Sequence, residues 1–132
     1  MRSSTDYIII HCSDTPKEMD IGADTIRRWH VEENGWSDIG YHWIIKRDGT
    51  IEPGRSQDAV GAHARNYNDK SVGVCMVGGK PEANFTSAQW SQLESLILQL
   101  RVEYPRAQII GHNQVSGKTC PNFDVESWSS TI

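Results

Sequence analysis

The sequence predicts a single α/β domain in which a central mixed β-sheet is flanked by helices. The chain has 132 residues, the usual length of one domain. The unbroken apolar run Tyr7–Ile10 is typical of a strand buried on both faces, whereas Trp90–Tyr104 carries apolar residues at helical spacing. Strand-like and helix-like segments alternate along the chain, and this order favours an α/β architecture. We therefore treat residues 1–132 as one domain.

Composition and charge narrow the possible functions. Hydrophobic residues make up 37% of the chain and charged residues 23%, which is normal for a globular protein. The formal net charge of −4 provides no basic field for a phosphate backbone, so we expect no nucleic-acid partner. The N-terminal apolar run is too short for a signal peptide or a membrane span. We expect a protein that is made in the cytoplasm without membrane insertion, and we treat it as a monomer.

The first predicted strand, Tyr7–Ser13, ends in a histidine and a cysteine. Side chains alternate across a strand, so His11 shares a face with Ile9 while Cys12 points to the other face. His11 and Cys12 therefore cannot easily bind the same metal ion.

A helix and a β-hairpin are predicted next. Apolar residues recur at helical spacing from Ile21 until Asn34, where a helix stop is expected. His30 lies near the buried stripe of this helix, and we interpret it as a hydrogen-bonded structural histidine. The strand Tyr41–Lys46 then leads into Asp48-Gly49, a signal of a tight hairpin turn.

Two ring-bearing residues begin the hairpin strand. Alternation places Tyr41 and His42 on opposite faces, so they cannot both face one site. The residue pattern does not show which of the two faces the site.

The irregular, Gly-containing segment 57–68 follows, and its His63 and Asn68 are candidates for contacts in a cleft, because recognition residues concentrate on loops.

The remaining elements are predicted from apolar pattern and capping. Ser71–Gly79 is a buried strand whose glycines permit close backbone approach. Cys75 in this strand and Cys12 in the first are interpreted as small buried hydrophobes, not a disulfide. Thr86–Gln89 has the form of a capping box and opens a helix with a core-facing stripe, ended by Pro105. A strand at 108–111 and a short helical turn at 123–128 complete the chain.

Three residues near the strand ends have the composition of a metal site. His112 directly follows the strand 108–111, and Cys120 lies in the loop after it. If this strand neighbours the first one, His11 and His112 emerge together, and Cys120 completes the set. Two histidines, one cysteine and an open position are typical of a catalytic zinc site, since structural sites usually have four protein ligands.

These motifs resemble the type 2 N-acetylmuramoyl-L-alanine amidases, particularly the small phage endolysins, with the peptidoglycan recognition proteins as more distant relatives. The resemblance rests on the strand ending in His11, on 40–43, 60–63 and 71–75, and on the loop from His112 to Cys120-Pro121. It extends from about Asp6 to Trp128. It implies one zinc amidase domain, Zn²⁺ bound by His11, His112 and Cys120, and peptidoglycan as the substrate. It also implies catalytic roles for Tyr41 and Lys118, which leaves His42 as structural.

The resemblance implies hydrolysis, by zinc-activated water, of the amide bond between N-acetylmuramic acid and L-alanine. One alternative is a cytoplasmic recycling amidase that acts on soluble anhydromuropeptides. A non-catalytic peptidoglycan-binding module is disfavoured by the presence of Cys120, which non-catalytic relatives typically lack.

Some phage relatives also bind RNA polymerase through a longer N-terminal segment. Six residues precede Tyr7, so we do not expect that activity here. An endolysin made in the host cytoplasm would reach periplasmic peptidoglycan after membrane permeabilisation.

Overall fold

The computed structural model describes residues 1–132 and contains a five-stranded mixed sheet with helices on its two faces. A separate two-stranded ribbon lies beside it. Short π-helical or 3₁₀ turns occupy Trp29–Glu33, Asn68–Lys70 and His112–Gln114. The strands and α-helices are β1 (Tyr7–Cys12), β2 (Thr15–Pro16), α1 (Ala23–Arg28), β3 (Trp43–Ile45), β4 (Ile51–Pro53), β5 (Ser71–Met76), β6 (Gly79–Lys80), α2 (Ser87–Glu103), β7 (Gln108–Gly111) and α3 (Val125–Ser129).

The sheet order is β4-β3-β5-β1-β7, which places β1 between two parallel neighbours. The strand β3 is parallel to β5, and β4 is the antiparallel return of the hairpin. Ile8, Ile9 and Ile10 of β1 have no solvent exposure. The prediction that the first apolar run forms a central strand is confirmed. The parallel strands end on the same side of the sheet, which is where ligands bind in open α/β sheets.

The two faces of β1 contribute to different parts of the core. Ile8, Ile10 and Cys12 pack with buried residues of α2 such as Leu93. Ile9 lies in a small cluster on the other face, beneath the segment that carries Ala64. The predicted alternation of this strand is therefore confirmed, and it leaves His11 on the face opposite to α2.

The helix α2 begins with the predicted capping box. Gln89 N–H donates to Thr86 Oγ1 over 3.1 Å, and Thr86 N–H donates to Gln89 Oε1 over 3.0 Å. Gln89 is also fully buried, and its Nε2 donates to the carbonyls of Ile45 and Val77 over 3.1 and 2.8 Å. One side chain thus joins the start of α2 to the ends of β3 and β5.

Replacing Gln89 with leucine should lower the free energy of unfolding by about 2 to 4 kcal/mol, because its side chain loses four hydrogen bonds, each worth about 1 kcal/mol. The cap substitution Thr86→Ala should cost only about 1 kcal/mol. Urea denaturation of both variants measures the difference. Equal losses would mean that Gln89 acts only as part of the cap.

The predicted helix from Ile21 to Asn34 is divided in two. An α-helix ends at Arg28, and a π-helical turn continues to Glu33, where Asn34 N–H donates to Trp29 O over 3.3 Å. The helix stop at Asn34 is confirmed, and Gly35 follows with a φ of +73°. Helical periodicity alone does not distinguish these two hydrogen-bonding patterns. No helix in the structure has the length and apolar character required to cross a lipid bilayer.

The strand predicted from Tyr41 to Lys46 is shorter than expected. It comprises Trp43–Ile45, so strict alternation does not extend back to Tyr41. Tyr41 packs in the cluster that contains Ile44, not on the face of Trp43 as the pattern predicted. Gly54 lies close to this segment, and an added Cβ there would collide with the Tyr41 carbonyl and would contact Ile44.

Candidate metal centre and active-site cleft

The ends of two adjacent parallel strands place His11 and His112 side by side. The register pairs Ile10 with Gly111, and the two strands are parallel. His11 and His112 directly follow this pair and therefore lie next to each other. The centroids of the two imidazole rings are 4.5 Å apart. The condition stated for the metal site, that the first strand and the strand 108–111 are neighbours, is therefore met.

The loop after β7 returns Cys120 to these histidines. Ser116 Oγ donates to the carbonyl of His112 over 3.0 Å, and Asn113 Nδ2 donates to Thr119 O over 3.3 Å, which stabilises the loop. The backbone N–H of Cys12 donates to Cys120 Sγ over 3.0 Å. A backbone donor of this kind stabilises a thiolate, which is the form of cysteine that binds metals.

The donor atoms of His11, His112 and Cys120 all lie within 4.8 Å of one another. Ligand atoms around a tetrahedral zinc ion are roughly 3.3 to 3.8 Å apart, so a small contraction would bring the three onto one ion. Two imidazole nitrogens and one thiol are donors that favour zinc and similar metals. The thiols of Cys12 and Cys75 are free and buried, in agreement with their interpretation as core residues.

His63 supports His11 through a chain of hydrogen bonds. Ser71 Oγ donates to Tyr67 O over 2.7 Å, so this oxygen accepts the hydrogen bond from His63 Nε2 over 3.2 Å. His63 Nδ1 is then the acceptor for His11 Nε2, 2.9 Å away. This assigns the proton of His11 to Nε2 and leaves its Nδ1 lone pair for a metal. Contacts of this kind orient metal-binding histidines.

The pKa values of His11, His63 and His112 are all lowered in the folded protein. Burial lowers the pKa of His11 well below its usual value, and the neighbouring histidines lower it further. Burial lowers the pKa of His63 to about 3. The pKa of His112 is lowered by burial and by the charge of Lys118. At neutral pH all three imidazoles are therefore uncharged and each retains a lone pair.

Tyr41 and Lys118 both line the cleft above the three candidate ligands. The cleft has a volume of about 530 Å³. The Tyr41 ring centroid is 5.1 Å from that of His11, and burial raises the pKa of the phenol, which remains protonated. Lys118 is exposed, and its ammonium makes no hydrogen bond or ion pair within the protein. One neutral proton donor and one free positive charge thus face the same space.

His63 and Asn68, the two residues predicted to contact a substrate, are less accessible than Lys118. His63 lines the cleft but is only 9% exposed. Asn68 Oδ1 accepts from the backbone N–H groups of His63 and Ala64 over 2.8 and 2.9 Å, so it stabilises the loop. The structure thus gives both residues supporting roles, and direct contact with a substrate stays a prediction. Gly73 leaves room for the His63 ring, since an added Cβ would lie 2.6 Å from it, but the sequence does not mark His63 as a partner of His11.

The remaining histidines have structural hydrogen bonds, as predicted. His42 Nδ1 accepts from Gly73 N–H over 2.9 Å, and its Nε2 donates to Ala59 O over 2.8 Å. Burial lowers its pKa to about 4. His30 Nδ1 accepts from Gly40 N–H over 2.9 Å, although its ring also lines the cleft.

We expect His63→Ala to weaken metal binding by about 10- to 100-fold, because His11 loses the acceptor that fixes its tautomer and orientation. A competition titration against a chelator measures the affinity. Arg65→Ala is the matched control, since Arg65 is exposed in the same loop and contacts no candidate ligand. Unchanged affinity in His63→Ala would remove His63 from the metal centre.

Comparison with known proteins agrees with this geometry. The sequence pattern of the family described as N-acetylmuramoyl-L-alanine amidase matches residues 1–123. The chain is 52% identical to an endolysin of Klebsiella phage KP32, with 96% of this chain and 87% of the relative aligned.

Two solved structures share the fold. One is the N-acetylmuramoyl-L-alanine amidase LysC from Clostridium intestinale, with a TM-score of 0.87 and 31% identity, covering 97% of this chain and 85% of the other. The second is a mutant of Drosophila PGRP-LB in complex with tracheal cytotoxin, with a TM-score of 0.81 and 29% identity, covering 97% and 81% of the two chains. The family model, the endolysin similarity and the clustered strand-end residues lead to one conclusion: the chain belongs to the N-acetylmuramoyl-L-alanine amidase family.

Proposed function

We propose that this protein is a zinc-dependent endolysin that hydrolyses the amide bond between the lactyl group of N-acetylmuramic acid and L-alanine of the stem peptide. The observation that carries the proposal is the cluster of His11, His112 and Cys120 on the floor of the cleft in a chain of the amidase family. The roles given below to single residues are part of this proposal.

Zinc is the metal that best fits the donor set. His11 and His112 would supply neutral nitrogens and Cys120 a thiolate, and three protein ligands leave one position open. A metal ion held by these residues would supply Lewis-acid chemistry, which polarises an amide carbonyl and lowers the pKa of water to about 7.

Lys118 and Tyr41 would stabilise the transition state of amide hydrolysis. Attack on the amide carbonyl produces a negatively charged oxygen, and the free ammonium of Lys118 faces the cleft in which this charge forms. The Tyr41 phenol remains protonated and can donate a hydrogen bond or a proton as the tetrahedral species collapses and the amine leaves. His63 would act as a positioning residue for His11.

The groove on the Arg65 side of the cleft suits the stem peptide. It is lined by Arg65 and Lys118, by Asn68, and by no carboxylate. Neither cation has an ion-pair partner within the protein. Stem peptides carry free carboxylates, so two unpaired cations along one groove favour a peptide at this position. The solved complex of PGRP-LB with tracheal cytotoxin shows a ligand bound to the same fold.

The proposal is tested by digestion of purified sacculi and mass spectrometry of the products. Peptides with a free L-alanine amino terminus are expected from the zinc-loaded protein, and none after removal of zinc by a chelator. New reducing sugar ends, or full activity in the metal-free protein, would contradict the proposal.

A second comparison separates the endolysin from a recycling amidase. The similarity to proteins named endolysin supports cross-linked peptidoglycan as the substrate of this protein. Hydrolysis of intact sacculi and of soluble anhydromuropeptides is compared at matched bond concentration. A strong preference for the soluble substrate would replace the endolysin proposal with the recycling reaction. The protein should also lyse Gram-negative cells after permeabilisation and have little effect on intact cells.

A further inference from the structure

A second groove shares Lys118, but no other lining residue, with the Arg65 groove. It has a volume of about 620 Å³ and shares Lys118 and Thr119 with the catalytic cleft. We call it the 82–124 groove. Its lining includes Glu82, Gln114, Thr119, Asn122, Phe123 and Asp124. Lys118 therefore borders the catalytic cleft and both grooves.

The two grooves differ in charge. Lys118 lines both, but the Arg65 groove adds a second cation and no carboxylate, whereas Glu82 and Asp124 line the 82–124 groove. Hydrogen bonds from Ser127 lower the pKa of Asp124, so this carboxylate is ionised at neutral pH. An acidic groove repels the carboxylates of a stem peptide. It does not repel an uncharged N-acetylated sugar.

The polar groups of the 82–124 groove are held in place and retain free hydrogen-bonding capacity. Gln114 Oε1 accepts from Gly111 N–H over 2.8 Å, which leaves its amide NH₂ free to donate. Asn122 Nδ2 donates to the carbonyl of Gly79, which leaves its Oδ1 free to accept. Thr119 adds a hydroxyl without a recorded partner. Sugar hydroxyl and acetamido groups require donors and acceptors of both kinds.

An aromatic ring lines the same groove. Phe123 packs against Trp90 and Trp128, with ring centroids 4.8 and 6.3 Å apart, so its orientation is fixed by its neighbours. It is only partly buried. A fixed, partly exposed ring offers apolar surface to the C–H face of a sugar at a low entropy cost.

We propose that the 82–124 groove is a saccharide subsite that binds the N-acetylhexosamine next to the muramoyl residue on the glycan strand. This inference rests on the proposed function, because the muramoyl amide must lie at Lys118. The stem peptide leaves that point along the Arg65 groove. The lactyl group joins the peptide to the muramoyl sugar, and the glycan strand extends from that sugar along the 82–124 groove.

The test compares kcat/KM of the zinc-loaded protein on a muramoyl tripeptide and on the same tripeptide carried by a disaccharide and by a tetrasaccharide of the glycan. The subsite predicts that glycan extension raises kcat/KM about tenfold, the effect of one or two hydrogen bonds. Gln114→Glu keeps the acceptor for Gly111 and removes the NH₂ donor. Glu82→Trp fills the groove from an exposed position.

The ratio of interest is kcat/KM on a glycan-extended substrate divided by kcat/KM on the muramoyl tripeptide. Both variants should reduce this ratio towards one. Gln99→Ala, an exposed change on α2 away from the groove, should keep the wild-type ratio. A wild-type ratio near one, or an unchanged ratio in both variants, would overturn the subsite while amidase activity remains. No cleavage of any of the three substrates would overturn the proposed function, and the subsite with it.

Discussion

Cys120→Ser is expected to lose most of its zinc and to lower kcat/KM by at least about 10³-fold, since a hydroxyl replaces the thiolate among three ligands. The backbone N–H of Cys12 donates to Cys120 Sγ over 3.0 Å in the native chain. Serine keeps this hydrogen bond but has a much higher pKa and is a poor zinc ligand. The effect of the substitution should therefore be on metal binding and not on the loop conformation.

Elemental analysis after dialysis measures the zinc content of this variant. Cys75→Ala is the control, since Cys75 is a buried free thiol outside the donor set. The control should retain one zinc per chain. Undiminished zinc in Cys120→Ser would exclude Cys120 from the centre and would leave the two histidines as the only candidates in the cluster.

Thermal melting gives a second measure of the same effect. A ligand that binds only the native state stabilises it by about 2.7 kcal/mol at a concentration 100 times its Kd. Zinc should therefore raise the Tm of the wild-type chain and of Cys75→Ala, but not the Tm of Cys120→Ser. This readout is independent of substrate, so it distinguishes loss of metal from loss of catalysis.

Local signals in the sequence predicted most of the fold. The apolar run of β1 predicted a buried central strand, because isoleucines without alternation are typical of a strand that is covered on both faces. Asp48-Gly49 specified the hairpin turn, and Gly49 has a φ of +90°. The capping box of Thr86 specified the start of α2 to the residue. These signals act between residues a few positions apart, so they can be read from the sequence.

The parts that could not be predicted depend on contacts between distant residues. The hydrogen bond between His11 and His63 joins positions 52 apart, and no local pattern marks His63 as its partner. Gln89 bonds to Ile45, 44 positions away, and reads as part of a cap in the sequence. Tyr41 lies outside the regular strand and packs in the cluster of Ile44. Strand alternation cannot represent such packing.

Lys118→Ala and Tyr41→Phe are expected to keep zinc and the fold but to lower turnover by about 10²- to 10³-fold each. Lys118 has no partner within the protein, so its removal leaves no buried group unpaired. Tyr41→Phe removes one hydroxyl and keeps the ring that packs beside His11. Neither change should therefore alter the Tm by more than a small amount, and zinc content should remain at one per chain.

The kinetic pattern distinguishes transition-state stabilisation from substrate binding. A group that acts only in the transition state lowers kcat and kcat/KM equally when it is removed. We expect this result for both variants on sacculi and on a muramoyl tripeptide. Lys118→Arg is the matched control, because it keeps the positive charge on the cleft and should recover part of the turnover. A rise in KM alone for Lys118→Ala would instead make Lys118 a cation that binds the stem peptide, together with Arg65 along the same groove.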